Sequence, residues 1–193
     1  MHIIFYGPEG SGKGTQAKLL SEKLNIPILT SGDLVRQAAS EDKGVIGDVC
    51  RKALSEGRYV ADSEMFVLWK RRLKEDDAKN DWIMDGFPRN VDQAIFLDDK
   101  LAKYGYKVEA VLYLKLSEEE SLRRLTKRAR PLHPGSHELH DSPERIKNRL
   151  EIYKAGEAKV LEYYRTQGVL QEINAEQSVS EVQKEILKKI HHG

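Results

Sequence analysis

The chain has 193 residues, 39% of them apolar, and 32 Lys and Arg against 31 Asp and Glu for a formal net charge of +1. That is one domain's worth of chain with enough apolar residues for a substantial core, and the near-cancelling charge argues against a dedicated nucleic-acid or membrane-surface binder. No apolar run approaches a membrane span and the N-terminus alternates like a strand rather than a leader; Cys50 is the single cysteine, so a soluble, cytoplasmic protein with a small core thiol is expected.

Ile3-Ile4-Phe5-Tyr6 is too short for a helix and rich in strand formers. It runs into Gly7-Pro8-Glu9-Gly10-Ser11-Gly12-Lys13-Gly14-Thr15, and a helical pattern carrying Ala17, Leu19, Leu20 and Leu24 follows. Strand, glycine loop and helix in this order, with G-x-x-x-x-G-K spacing, predict a cradle for a nucleoside triphosphate. Glycines let backbone N–H groups converge on a phosphate, the helix start adds partial positive charge, and Lys13 adds a full one. Gly14 stands where such loops usually carry a Mg²⁺-binding hydroxyl, so either Thr15 supplies it or water and phosphate oxygens hold the metal.

Ile26 to Leu29 reads as a second strand, and Ser31 is the expected cap of a helix with Leu34, Val35 and Ala38 on it. A second helical stretch from Val45 to Leu54 ends at Gly57, and a third starts at Ser63 and carries Phe66, Leu68, Trp69 and Leu73. The helices from 31 to 60 are more than a crossover needs and read as an insert. Asp81 to Asp85 is the next strand; a carboxylate at its end followed by Gly86 is where Mg²⁺ and its waters are ordered.

Val91 to Leu101 reads helical, Val108 to Leu116 as a long apolar strand, and Ser117-x-x-Glu120 as a capping box. The helix it opens holds Arg124 and Arg128, four apart and on one face, available to one polyanion. A Pro- and Gly-rich loop over 130–137 precedes a long helix opened by Asp141-Ser142-Pro143-Glu144, ended by Gly168. Val169 to Ile173 and Ser178 to Ile190 are the last strand and helix. Alternating strands and helices predict an α/β fold of the P-loop NTPase type, a parallel five-stranded sheet with helices on both faces. Ligands should bind beyond the C-terminal strand ends, where Gly7, Ser31, Asp85 and Arg89 fall.

With those residues in view the chain resembles the adenylate kinase family of nucleoside monophosphate kinases, in its short-lid form, over essentially its full length. The marks are the loop from Gly7 to Gln16, Thr30-Ser31-Gly32-Asp33-Leu34-Val35-Arg36, Gly57-Arg58-Tyr59-Val60, and Asp85-Gly86-Phe87-Pro88-Arg89 with Gln93. The resemblance implies a core of 1–30, 61–128 and 142–193, a monophosphate-binding insert over 31–60 and a lid over 129–141. It implies a monomeric enzyme that transfers the γ-phosphoryl group of Mg-ATP to AMP, giving two ADP.

On that resemblance, ATP is held by Gly10, Ser11, Gly12, Lys13, Gly14, Thr15, Arg124 and Arg128. AMP is held by Ser31, Arg36, Arg58, Tyr59, Val60, Gly86, Arg89 and Gln93. Lys13, Arg89, Arg128, Asp141 and Arg149 carry the chemistry, and Asp85 orders the metal through water. Gln93 can pair with the N1 and 6-amino edge of adenine; in the family pyrimidine-specific members have Asn there, which sets UMP or CMP kinase as the alternative. A weakened nucleotide-binding regulator is the alternative of another class, because the lid departs from the family pattern: Glu138 stands where an arginine is expected and His140 replaces the first of two aspartates. Loss of one such donor costs roughly 2 to 4 kcal/mol in the transition state, and Arg145, one helical turn before Arg149, is the expected compensating cation. His133, His137 and His140 have a spacing reminiscent of metal ligands, but no cysteine joins them and zinc is not expected.

Overall fold

The computed structural model describes residues 1–131 and 137–190. Five strands, β1 (His2–Tyr6), β2 (Ile28–Thr30), β3 (Trp82–Asp85), β4 (Ala110–Lys115) and β5 (Leu170–Asn174), form one sheet in the order β2-β3-β1-β4-β5. Every pairing is parallel, with Ile4 opposite Met84 and Val111 in the centre. The helices are α1 (Lys13–Leu24), α2 (Ser31–Glu41), α3 (Val45–Glu56), α4 (Asp62–Arg72), α5 (Val91–Ala102), α6 (Glu118–Arg128), α7 (Pro143–Thr166) and α8 (Val179–Ile190). The α/β architecture is that expected from the alternation of elements.

Side chains on a strand point alternately to its two faces, and β1 is buried on both. Ile3 and Phe5 join Ala17 and Leu20 of α1 and Val182 and Ile186 of α8 in one core. Ile4 and Tyr6 join Trp69 of α4, Leu97 of α5 and Val160 of α7 in the other. The continuous apolar run of β1 is therefore the signature of a strand covered by helices above and below. Its C-terminal end, where the glycine loop begins, lies beside that of β3, since Phe5 is in register with Asp85.

Local chemistry moved several boundaries. Thr30, not Ser31, caps α2: its hydroxyl accepts the Asp33 N–H at 3.0 Å, while Ser31 is already helical and donates its hydroxyl to the Gly86 carbonyl at 2.9 Å. Helix α4 begins at Asp62 with Ala61 at the cap and no side-chain cap bond, so Ser63 lies inside the first turn. Strand β2 starts at Ile28, because Asn25 in the left-handed region ends α1 and the Ile26 N–H still bonds to the Ser21 carbonyl. The box at Ser117 is half made. Ser117 Oγ accepts from Glu120 N at 3.4 Å, but Glu120 turns to Arg123 and Arg124, and Glu176 receives the Ser117 N–H instead. Cys50 is wholly buried in α3 and burial pushes its thiol up, as befits a core thiol. No helix among the described residues is long and apolar enough to cross a membrane.

Candidate active site

The loop between β1 and α1 is shaped by its glycines. Gly7 has φ 142°, and a Cβ on it would meet the Leu114 carbonyl oxygen at 2.6 Å, so only glycine lets β1 turn there against β4. Gly12, with φ 90°, caps α1 with nothing within 4 Å of where a side chain would stand, which leaves the helix start open. Lys13 folds back over the loop and donates to the carbonyls of Gly7 and Pro8, both at 2.8 Å. Burial pulls its pKa below the ordinary lysine value, and Asp85 and Glu9 work against that shift. Ser11 is buried, whereas Gly14 and Thr15 are exposed on the first turn of α1.

Asp85 ends β3 against that first turn: a side chain on Gly14 would come to 3.6 Å from Asp85 Oδ2. Burial raises the Asp85 carboxyl above its usual range, partly offset by Lys13 and Arg89. A hard oxygen ligand beside an anion cradle, with the exposed Thr15 hydroxyl on the same helix turn, is a donor set that fits Mg²⁺ and its waters. Gly86, at φ 81°, then turns the chain so that its carbonyl accepts both the Ser31 hydroxyl and Arg89 Nε, each at 2.9 Å.

The Arg89 guanidinium lies 3.7 Å from the centre of the Tyr59 ring. Tyr59 in turn donates its hydroxyl to Glu9 Oε1 at 2.6 Å, and Arg149 Nε stands 3.0 Å from Glu9 Oε2. Burial opposes ionisation of Glu9, but Arg149, the Tyr59 hydroxyl and Lys13 outweigh it and hold the carboxyl below its usual range. One carboxylate of the glycine loop thus joins the segment 31–60, through Tyr59, to α7, through Arg149.

Asp141 organises the far side. Its side chain is fully buried and receives Arg128 through Nε at 2.7 Å and Nη2 at 2.9 Å, Arg149 Nη2 at 3.0 Å and the Arg130 N–H at 3.1 Å. Burial alone would raise its pKa; the bonds from Arg128 and Arg130 and the charge of Arg128 overcome this and hold the carboxyl well below the usual carboxylate range. Arg149 also donates to the His140 carbonyl at 3.0 Å and rests on the His140 ring. Burial, then Arg149 and Arg130, keep the His140 pKa below its ordinary value. Arg130 O accepts the His140 N–H at 2.9 Å and Pro131 bridges to Leu139, which closes the base of the loop.

The remaining expected residues have partners of their own. Arg124 and Arg128 share a helix face but take different partners: Arg124 donates to Glu120, one turn below it, to the Ala175 carbonyl and, at 3.4 Å, to the Gly10 carbonyl of the glycine loop. Arg145 is directed at the anomalous carboxylate itself, with Nη2 on Glu138 at 2.9 Å and Nη1 on the Leu139 carbonyl at 2.9 Å, since an acid this close outcompetes more distant partners. Arg36 is exposed and paired with Asp33, and Arg58 is paired with Glu56. Val60 is buried under the segment it ends. Gln93 is buried with both ends of its amide bonded. His133 lies outside the described residues, and among those described no group of histidines and acids is disposed to hold a metal.

A family model described as adenylate kinase matches residues 5–169. The chain belongs to the adenylate kinase family. It is 40% identical to adenylate kinase 1 of Nostoc sp. over 95% of both chains. It is 38% identical to the adenylate kinase of Thermobifida fusca over 94% of both, and 33% identical to that of Archaeoglobus fulgidus over 96% of both. The matched region takes in the glycine loop, the segment 31–60, Asp85 to Gln93, and the arginines of α6 and α7.

Four side chains that shape the site, those of Glu9, Tyr59, Asp62 and Asn90, carry little signal in the sequence. Glu9 occupies a variable position of the loop motif, where only a charged residue among glycines gave any signal. Asp62 reads as an ordinary acid in the first turn of a helix. Its second role, as acceptor for Asn90 and Gln93, needs the folded arrangement.

Proposed function

We infer that the protein catalyses reversible, Mg²⁺-dependent transfer of the γ-phosphoryl group of ATP to AMP, giving two ADP. The observation that carries this reading is the run of contacts Arg128–Asp141–Arg149–Glu9–Tyr59–Arg89, which meets the glycine loop at Glu9, with Lys13 folded over that loop and Asp85 against the helix it opens.

Phosphoryl transfer asks the protein for positioning and for stabilisation of charge spread over equatorial oxygens. The loop amides from Gly10 to Thr15 and Lys13 would bind the donor's phosphates, with Lys13 leaving the Gly7 and Pro8 carbonyls to do so. Arg36 and Arg89 would bind the acceptor's phosphate. Ser31, Gly86 and the backbone from Arg58 to Val60 would line the acceptor site, and Gln93 would meet the base. Arg128 and Arg149, pre-oriented by Asp141, would neutralise the group in flight. Arg124 would lie near the donor base. Asp85, through water, and the Thr15 hydroxyl are the residues that would hold Mg²⁺, which would neutralise charge at the phosphate oxygens.

Arg145 acts by offsetting the charge of Glu138, so that the lid presents less negative charge to the triphosphate. The segments 31–60 and 129–141 serve as the acceptor-binding insert and the lid. Their approach excludes water that would otherwise take the phosphoryl group. We infer a monomer, and a reducing, cytoplasmic setting fits the single, buried Cys50.

The test is turnover of ATP with AMP, UMP and CMP in turn. AMP as the preferred acceptor is the expected result. Preference for UMP or CMP would give the reaction to a pyrimidine kinase, and ATP binding without turnover of any acceptor would favour a regulator.

A further inference from the structure

Gln93 lies in the first turn of α5 and is 3% exposed. Its Oε1 accepts the Arg89 N–H at 2.8 Å and its Nε2 donates to Asp62 Oδ1 at 2.6 Å. The other oxygen of Asp62 accepts from Asn90 Nδ2 at 2.7 Å, and Asn90 Oδ1 accepts the Gln93 backbone N–H at 2.9 Å. The ring closes on itself. Asp62 is the first residue of α4, where the segment 31–60 rejoins the sheet domain.

The two ends of a glutamine amide are nearly the same shape, and usually either can face a partner. Here they cannot be exchanged. A backbone N–H only donates and a carboxylate only accepts, so oxygen must face Arg89 and nitrogen must face Asp62. A primary amide has two N–H donors and two lone pairs, of which this ring uses one each. What remains is one N–H on Nε2 beside one lone pair on Oε1, in a fixed order.

Adenine offers an N1 acceptor beside a 6-amino donor, the complement of that order, and cytosine offers the same pattern at N3 and its amino group. Hypoxanthine, guanine and uracil carry a ring N–H beside a carbonyl, the reverse. To pair with them the amide would have to turn over, setting NH₂ against the Arg89 N–H and Oε1 against the Asp62 carboxylate.

We propose that Asp62 is a specificity-determining positioning residue, which locks the Gln93 amide in the orientation complementary to adenine and so enforces discrimination against 6-oxo bases. The proposal rests on Gln93 being the residue that meets the acceptor base.

The test compares kcat and KM for AMP and for inosine monophosphate, two purines of the same outline with opposite polarity on this edge. A site built around buried hydrogen bonds rejects the wrong polarity strongly, by roughly 10³-fold or more in kcat/KM. Asp62→Asn is nearly isosteric, and its own amide can turn to meet either end of Gln93. It should lower the AMP-to-IMP ratio by about tenfold, since one of two polarity constraints is gone and Arg89 N–H remains. Asp62→Ala should lower it similarly, with the larger part of the AMP loss in KM.

Loss of stability alone would reduce both substrates in parallel. An unchanged ratio in both Asp62 variants therefore overturns the proposal. Gln93→Ala separates the premise from the inference. If it abolishes the AMP preference while the Asp62 variants keep it, Asp62 has no part in selection; if it keeps the preference, Gln93 does not read the base and both ideas fall.

Discussion

Removing the Asp141 carboxylate should uncouple the two arginines it holds. In Asp141→Ala, Arg149, whose side chain is only 3% exposed, loses one of its two carboxylate partners and keeps Glu9. Arg128 is 42% exposed, so water replaces most of what it loses and its share is at most about 1 kcal/mol. Breaking a buried pair by deleting one partner costs about 3 to 5 kcal/mol; with Glu9 retained, the lower end, about 3 kcal/mol, is expected. In a domain of this size that is a fall in Tm of roughly 6 to 12 °C.

The pH dependence has a definite sign. The folded-state pKa of Asp141 is depressed, so its contribution is fully present above the unfolded value of about 3.9 and is lost as pH falls through the folded value. The stability gap between wild type and Asp141→Ala, measured by urea unfolding, should be no smaller at about pH 4.5 than at pH 7, since Asp141 also favours the charged form of the adjacent His140, and should shrink below about pH 4. A gap under about 1 kcal/mol at pH 7, or one that does not shrink in acid, would show that the Asp141 carboxylate does not stabilise the fold through these arginines.

Two further substitutions probe the site's charges. Arg145→Ala should lower kcat roughly tenfold, well beyond the effect of Arg130→Ala, and should do little in a Glu138→Gln background; a full effect in that background means that Arg145 does not act through Glu138. Glu9→Gln keeps an acceptor for the Tyr59 hydroxyl but removes a partly buried negative charge close to Lys13 and Arg149. The KM for ATP should then fall by roughly three- to tenfold in initial-rate measurements, and a KM that rises would show that the carboxylate helps the nucleotide bind.

The order of strands and helices was legible because each carries a strong local pattern: the apolar run of β1, the Pro143 start of α7, Gly57 closing α3. Cap assignments were less so, since Thr30 and Ser31 have the same capping chemistry and only the Gly86 carbonyl, far along the chain, decides which hydroxyl is free for the helix. The glycine loop and Asp85 could be read as a site because their function is tied to spacing along the chain and to strand ends. Glu9, Asp62 and the destination of Arg145 could not. Each depends on a partner from another element: Tyr59 and Arg149 for Glu9, Asn90 and Gln93 for Asp62, Glu138 for Arg145. Helical periodicity placed Arg124 and Arg128 on one face, but a carboxylate one turn from Arg124 and a buried one across from Arg128 gave them different partners.

The cations gathered around the glycine loop are inferred to support phosphoryl transfer from ATP to AMP. Purified protein supplied with ATP and Mg²⁺ and each nucleoside monophosphate in turn, with ADP followed by a coupled assay, tests it most directly. Rapid ADP formation is expected with AMP, far slower formation with UMP, and near-complete loss with AMP when Lys13 is replaced by Ala. ADP formation that favours UMP or CMP over AMP, or that survives the loss of Lys13, would contradict the inference.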